Sequence, residues 1–174
     1  MSNEIKLSNV VANDDGSSYQ KLSWFAKENG ELVIKNSILA TNICEGMPNL
    51  TIGSQSSDAG LFEVNGLVYT CDAHSKGYDV RTKADHQWSA GLVAMCQQAL
   101  VKSGFGGKDV TLATGIPVQM FFSGEDSNKN EILLSRKKKA FEEADIKNKT
   151  DEKGNPTLLD EKKLAKVVSN TIIP

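Results

Sequence analysis

Val10-Val11-Ala12-Asn13-Asp14-Asp15-Gly16-Ser17-Ser18-Tyr19-Gln20-Lys21 decides the fold. The short apolar run Val10-Val11-Ala12 stops at a polar cluster, residues 13–18, where the chain turns and comes straight back. Leu22, Trp24 and Ala26 then alternate with Lys21, Ser23 and Lys27, with Phe25 alone out of step. Asn29-Gly30 follows, and a second alternating run passes through Leu32, Ile34 and the Ile38-Leu39 pair. Asn-Gly tolerates the positive φ angles of a type I′ turn, so these runs predict a three-stranded antiparallel meander.

Downstream, residues 41–83 shift toward Gly, Ser, Asn and Asp without a long period, which predicts a small inserted outer subdomain. Within it a second Asn-Gly pair, Asn65-Gly66, joins residues 61–64 to 67–71 as a hairpin. Regular structure resumes at Asp85, read as an N-cap. Trp88, Leu92, Met95, Cys96, Ala99 and Leu100 recur at helical spacing as core positions until Gly104 ends the helix. Residues 110–113 form a buried strand ending at Thr114-Gly115-Ile116-Pro117, and a second helix runs over 128–143, where Asn128 and Glu131 have capping-box spacing. A charged turn over 152–156 precedes a last strand, residues 167–173, rich in Val, Ile and Thr. Strands first in a meander and then alternating with helices define an α/β mixed sheet with helical cover.

Twenty Lys and Arg against 22 Asp and Glu leave a net charge of −2, which argues against direct nucleic-acid binding and against attachment to a membrane surface. No apolar run reaches the roughly 18 residues of a transmembrane helix, and residues 1–6 lack the pattern of a signal peptide, so a cytoplasmic protein is expected. Cys44, Cys71 and Cys96 show no C-x-x-C spacing and read as buried thiols, and His74 and His86 have no metal-ligand spacing and read as non-catalytic. Arg136-Lys137-Lys138-Lys139 points around more than a full helical turn and reads as a solvated face.

Chemistry concentrates at residues 14–21. Carboxylates, a glycine, hydroxyls and a lysine at a hairpin tip suit a phosphate and a metal together. Turn amides can form an anion nest, Lys21 can neutralise phosphate oxygens and Asp14 can hold a hydrated Mg²⁺. An ordinary Asp-Gly turn has the same composition. A Walker A loop is absent, and Ser17 or Ser18 has neither a G-x-S-x-G elbow nor a histidine base to make it a nucleophile.

Asp14-Asp15-Gly16-Ser17-Ser18 with Lys21-Leu22 and Trp24 resembles the first phosphate loop of the actin-like ATPases, specifically the ParM/StbA plasmid-segregation family. Trp88-Ser89 opening a helix, Leu100-Val101-Lys102-Ser103-Gly104 closing it, the residues from Val110 to Val118 and the Arg136-Lys137-Lys138-Lys139-Ala140-Phe141 helix follow in the family's order. The resemblance implies an actin-like, ribonuclease-H-like first domain that forms one wall of a nucleotide cleft. It implies ATP and Mg²⁺ as cofactors, self-association into filaments, and contact with plasmid DNA only through a plasmid-bound adaptor. By position, Asp14 would face Mg²⁺ through water, Gly16, Ser17 and Ser18 would cradle the β- and γ-phosphates, and Lys21 would reach phosphate oxygens. Asn13 departs from the apolar residue usual before the acidic pair. The family's catalytic residue, second phosphate loop and adenosine motif belong to later sequence, so the chain is expected to be one first domain over residues 1–174, with its second domain absent and its catalytic residue unknown. A stand-alone module that binds or caps filaments of full-length subunits is the alternative.

Overall fold

The computed structural model describes residues 9–16, 19–40, 42–46, 60–71, 85–148 and 164–174. Strands β1 (Val10–Asp15), β2 (Tyr19–Glu28) and β3 (Glu31–Ala40) form the meander. Its second turn has Asn29 at φ 51° and Gly30 at φ 88°, the left-handed pair that a two-residue hairpin loop requires. The first strand runs further than the apolar residues suggest. Asn13, Asp14 and Asp15 continue it, pairing with Leu22, Lys21 and Gln20. Polar residues persist in the strand because Asn13 and Asp15 find buried partners while Asp14 points to solvent.

Strand β7 (Asp109–Gly115) lies parallel to β1, and β9 (Lys166–Ile173) lies parallel to β7, giving a five-stranded sheet in the order β3-β2-β1-β7-β9. A second sheet, ordered β4-β6-β5-β8, is built from β4 (Ile43–Glu45), β5 (Gly60–Val64), β6 (Leu67–Cys71) and β8 (Ile146–Asn148). The β5–β6 turn has Asn65 at φ 51° and Gly66 at φ 82°, as its sequence demands. Strand β8 joins the edge of this sheet from outside the 41–83 stretch, through Phe62↔Asn148 and Val64↔Ile146. His74 and the charged turn over 152–156 lie outside the described residues.

Helix α1 (Ala90–Leu100) packs against strands of both sheets, so every residue from Gly91 to Leu100 is buried, including Gln97 and Gln98. A helix enclosed on all sides has no polar face to spare. Its two buried amides are each satisfied by a carbonyl, Gln97 Nε2 donating to Ala165 O at 3.2 Å and Gln98 Nε2 to Cys71 O at 2.9 Å. The helix begins four residues later than Asp85. Ser89 is its N-cap, accepting from Leu92 N at 3.1 Å, whereas Asp85 precedes the separate 3₁₀ turn His86–Trp88 and makes no side-chain cap bond. Ser89→Ala is therefore expected to cost about 1 kcal/mol, and Asp85→Ala less than about 0.5 kcal/mol, in urea unfolding. Beyond Leu100 a π turn (Val101–Phe105) closes the helix with Gly104 at φ 86°.

A short helix α2 (Val118–Phe121) follows Pro117, and α3 (Glu131–Glu142) packs on β9. The cap of α3 is Asn130, which accepts from Leu133 N at 3.1 Å, and not Asn128. Cys71 and Cys96 are buried and Cys44 half-buried, all as free thiols, and burial pushes the Cys96 thiol up to about 12. Among the described residues, no helix is long and apolar enough to cross a membrane.

Candidate functional site

Parallel pairing of β1 with β7, in the register Asn13↔Thr114, places the carboxyl end of β1 and the turn that follows β7 on one edge of the sheet. Ligands of open α/β sheets collect at such an edge. Alternation along β1 then sorts its side chains. Val11, Asn13 and Asp15 are buried, whereas Ala12 and Asp14 face outward.

On the outward side Lys21 Nζ donates to Asp14 Oδ2 at 2.9 Å across the β1–β2 pair, with the two side chains 51% and 63% exposed. Ion pairs this open to solvent contribute little, about 0–1 kcal/mol, so each partner can be given up to a ligand at small cost. Gly16 lies in the turn between them, and a β-carbon there would meet Tyr19 O at 3.4 Å and Asp14 Oδ1 at 3.6 Å. The structure thus brings Asp14, Gly16 and Lys21 together at the hairpin tip. Ser17 and Ser18 lie outside the described residues. The donor set fits a hydrated Mg²⁺ beside a phosphate: one exposed carboxylate and one exposed ammonium, flanking a half-buried glycine at the turn. Among the described residues no group of three or more His, Cys, Asp and Glu side chains is placed to hold a metal directly.

Beneath the tip lies a polar layer that the sequence reading missed. Lys137, expected on a solvated helix face, is fully buried on α3. Its ammonium donates to Asp15 Oδ2 at 2.6 Å, to Gln87 Oε1 at 2.7 Å and to Gly115 O. Four consecutive basic residues cannot all face water on a helix that packs by one side. Here Leu134, Lys137 and Phe141 follow the buried spacing, while Arg136 turns out over the Trp88 ring at 5.9 Å. Burial raises the Asp15 carboxyl above its ordinary value, with the Lys137 charge opposing, and burial lowers the Lys137 ammonium, with Asp15 opposing. His86 is also buried. Next to this pair Asn13 Nδ2 donates to Gln20 Oε1 at 2.8 Å and approaches Cys96 Sγ at 3.4 Å. Thr114 Oγ1 donates to Asn170 Oδ1 at 3.2 Å, and Asn170 N donates to Glu142 Oε1 at 2.6 Å. Asn13, the departure noted in the sequence, is thus accommodated as part of a polar layer under the strand ends.

A five-stranded mixed sheet with an antiparallel meander, parallel strands at its other side and a charged hairpin tip at its carboxyl edge defines an actin-like domain. The same architecture is found in the archaeal actin homolog Ta0583, with a TM-score of 0.56 at 15% identity, over 95% of this chain and 44% of that one. The family profile for plasmid segregation protein ParM, N-terminal, matches residues 9–155, and the chain belongs to that family. No curated relative matches the chain in sequence.

Proposed function

We propose that this chain is the nucleotide-binding first domain of an actin-like ATPase subunit that polymerises with ATP into filaments and moves plasmid DNA apart. The observation that carries the reading is the exposed Asp14–Lys21 pair around Gly16, on the same sheet edge as Gly115. In this reading the two side chains exchange each other for ligand. Lys21 turns to phosphate oxygens, Asp14 accepts hydrogen bonds from water on the metal, and the amides of Gly16, Ser17 and Ser18 line the β- and γ-phosphates. The Mg²⁺ supplies neutralisation of phosphate charge when bound. The domain forms one wall of the cleft and a second domain the other, so that nucleotide state governs closure and assembly. Filaments reach DNA through a plasmid-bound adaptor, in the cytoplasm.

Binding of Mg-ATP to the 174-residue chain, followed by NMR titration of the Gly16 amide, tests the reading. Lys21→Ala removes a charge-assisted contact worth about 1.5–3 kcal/mol, equivalent to a roughly 10- to 150-fold weaker affinity. Unchanged affinity would mean that Lys21 does not touch phosphate. With one wall of the cleft, the chain is expected to bind without steady turnover, because positioning and charge stabilisation of the transferred phosphoryl group need donors from both sides. Steady turnover abolished by Asp14→Ala would contradict the two-walled reading.

A further inference from the structure

Lys137 gathers three separate elements around one atom. Its acceptors come from the end of β1 (Asp15), the end of β7 (Gly115) and the turn before α1 (Gln87). An ammonium has three N–H donors on a flexible stem, and all three are used here. The side chain is fully buried, so water cannot replace any of these bonds.

The placement of these acceptors matters more than their number. Asp15 directly precedes Gly16, and with its carboxylate anchored inward the backbone entering the phosphate turn has a fixed direction, with Asp14 left pointing out. Gly115 begins the neighbouring turn, whose next amide, Ile116 N, donates to Ile173 O at 3.0 Å. Five residues along α3 from Lys137, Glu142 accepts from Asn170 N on β9. Helix α3 is therefore fastened by polar side chains to the ends of β1 and β7 and to β9.

We propose that Lys137 is the positioning residue of the phosphate site, holding the Gly16 turn and the Gly115 turn in fixed relation and coupling both to α3. The proposal rests on the nucleotide-binding reading for its function, though not for its geometry. Lys137 touches no phosphate. It sets where the turn amides point, and any ligand-driven shift of the turn is passed through the same atom to α3.

The test uses the full chain and the double variant Asp15→Asn/Lys137→Met, which removes both charges so that no buried ion is left unpaired. Lys137→Met alone serves as a second variant where it folds, and Phe62→Leu is the control that perturbs the core away from the strand ends. In the double variant the Gly16 and Gly115 amides are expected to shift and to exchange roughly tenfold faster with solvent, while the Asn29-Gly30 hairpin keeps the wild-type rate. Mg-ATP affinity is expected to fall roughly tenfold, and Phe62→Leu to change none of these readouts. A folded double variant whose Gly16 and Gly115 amides keep wild-type shifts and exchange rates overturns the proposal. Should the wild-type chain show no response to Mg-ATP, the nucleotide reading fails, and the amide comparison still decides the role of Lys137.

Discussion

Asp15→Ala is expected to destabilise the domain by about 3–5 kcal/mol, the range for breaking a buried ion pair by removing one partner. In a chain of this size that lowers the melting temperature by on the order of 10 °C. The ammonium of Lys137 would remain fully buried with only the neutral acceptors Gln87 and Gly115. The direction of its titration adds a second measurable effect. Burial already lowers Lys137 below the ordinary 10.5, and Asp15 is the principal influence raising it. Without Asp15 it falls further. A group whose folded pKa is depressed contributes stability that is present above the unfolded value and lost as pH falls through the folded value. The variant should therefore recover part of its deficit from neutral pH to a pH near the ordinary 10.5, as the folded form sheds the proton more readily than the unfolded chain. Urea unfolding of both proteins at the two pH values measures this. A loss below about 1 kcal/mol, or a deficit that widens toward alkaline pH, would show that the pair does not carry the buried charge.

Whether a residue's role was legible in the sequence followed the range of the interaction that fixes it. Asn29-Gly30 and Asn65-Gly66 could be read directly, because a left-handed φ is a property of two adjacent residues. The last strand was legible for a similar reason, its Val and Ile residues filling the place beside β7. Helix ends were read less well. Asp85 and Asn128 both have capping chemistry, and the choice of Ser89 and Asn130 depends on which residue's oxygen reaches Leu92 N or Leu133 N once the helix is docked. Strand β8 could not be read at all. Ile146-Lys147-Asn148 has no pattern of its own and is a strand because Phe62 and Val64 lie alongside. Asp14, Gly16 and Lys21 were singled out from composition within one hairpin, where Asp14 and Lys21 stand side by side. Lys137 was hidden because its partner Asp15 lies 122 residues away and because its neighbours in sequence are also basic. The one local clue was the Leu134, Lys137, Phe141 spacing, which puts a lysine on the apolar stripe of α3.

Phe62→Ala is expected to match Asp15→Ala in lost stability while leaving the proposed phosphate site unchanged, and the contrast separates the two layers of the molecule. Phe62 is fully buried in the middle of β5, opposite Tyr69 of β6 and Asn148 of β8, and belongs to the core that the outer sheet shares with α1. Truncating a buried Phe costs about 3–5 kcal/mol through lost burial and the cavity left behind. Phe62→Leu keeps most of the volume and should cost less than about 1.5 kcal/mol. Among the described residues, the polar contacts at the hairpin tip come from elsewhere. Asp14 and Lys21 project from the outward side of the five-stranded sheet, and their supports, Asp15 and Lys137, are fixed to Gly115 and Gln87. Measured on the folded fraction, Mg-ATP affinity of Phe62→Ala should stay within about threefold of wild type, since sites that share no partners act additively. A parallel collapse of affinity and stability would mean that the outer sheet, through α1 and the Asn13–Cys96 contact beneath β1, sets the proposed phosphate turn as strongly as Lys137 is proposed to do.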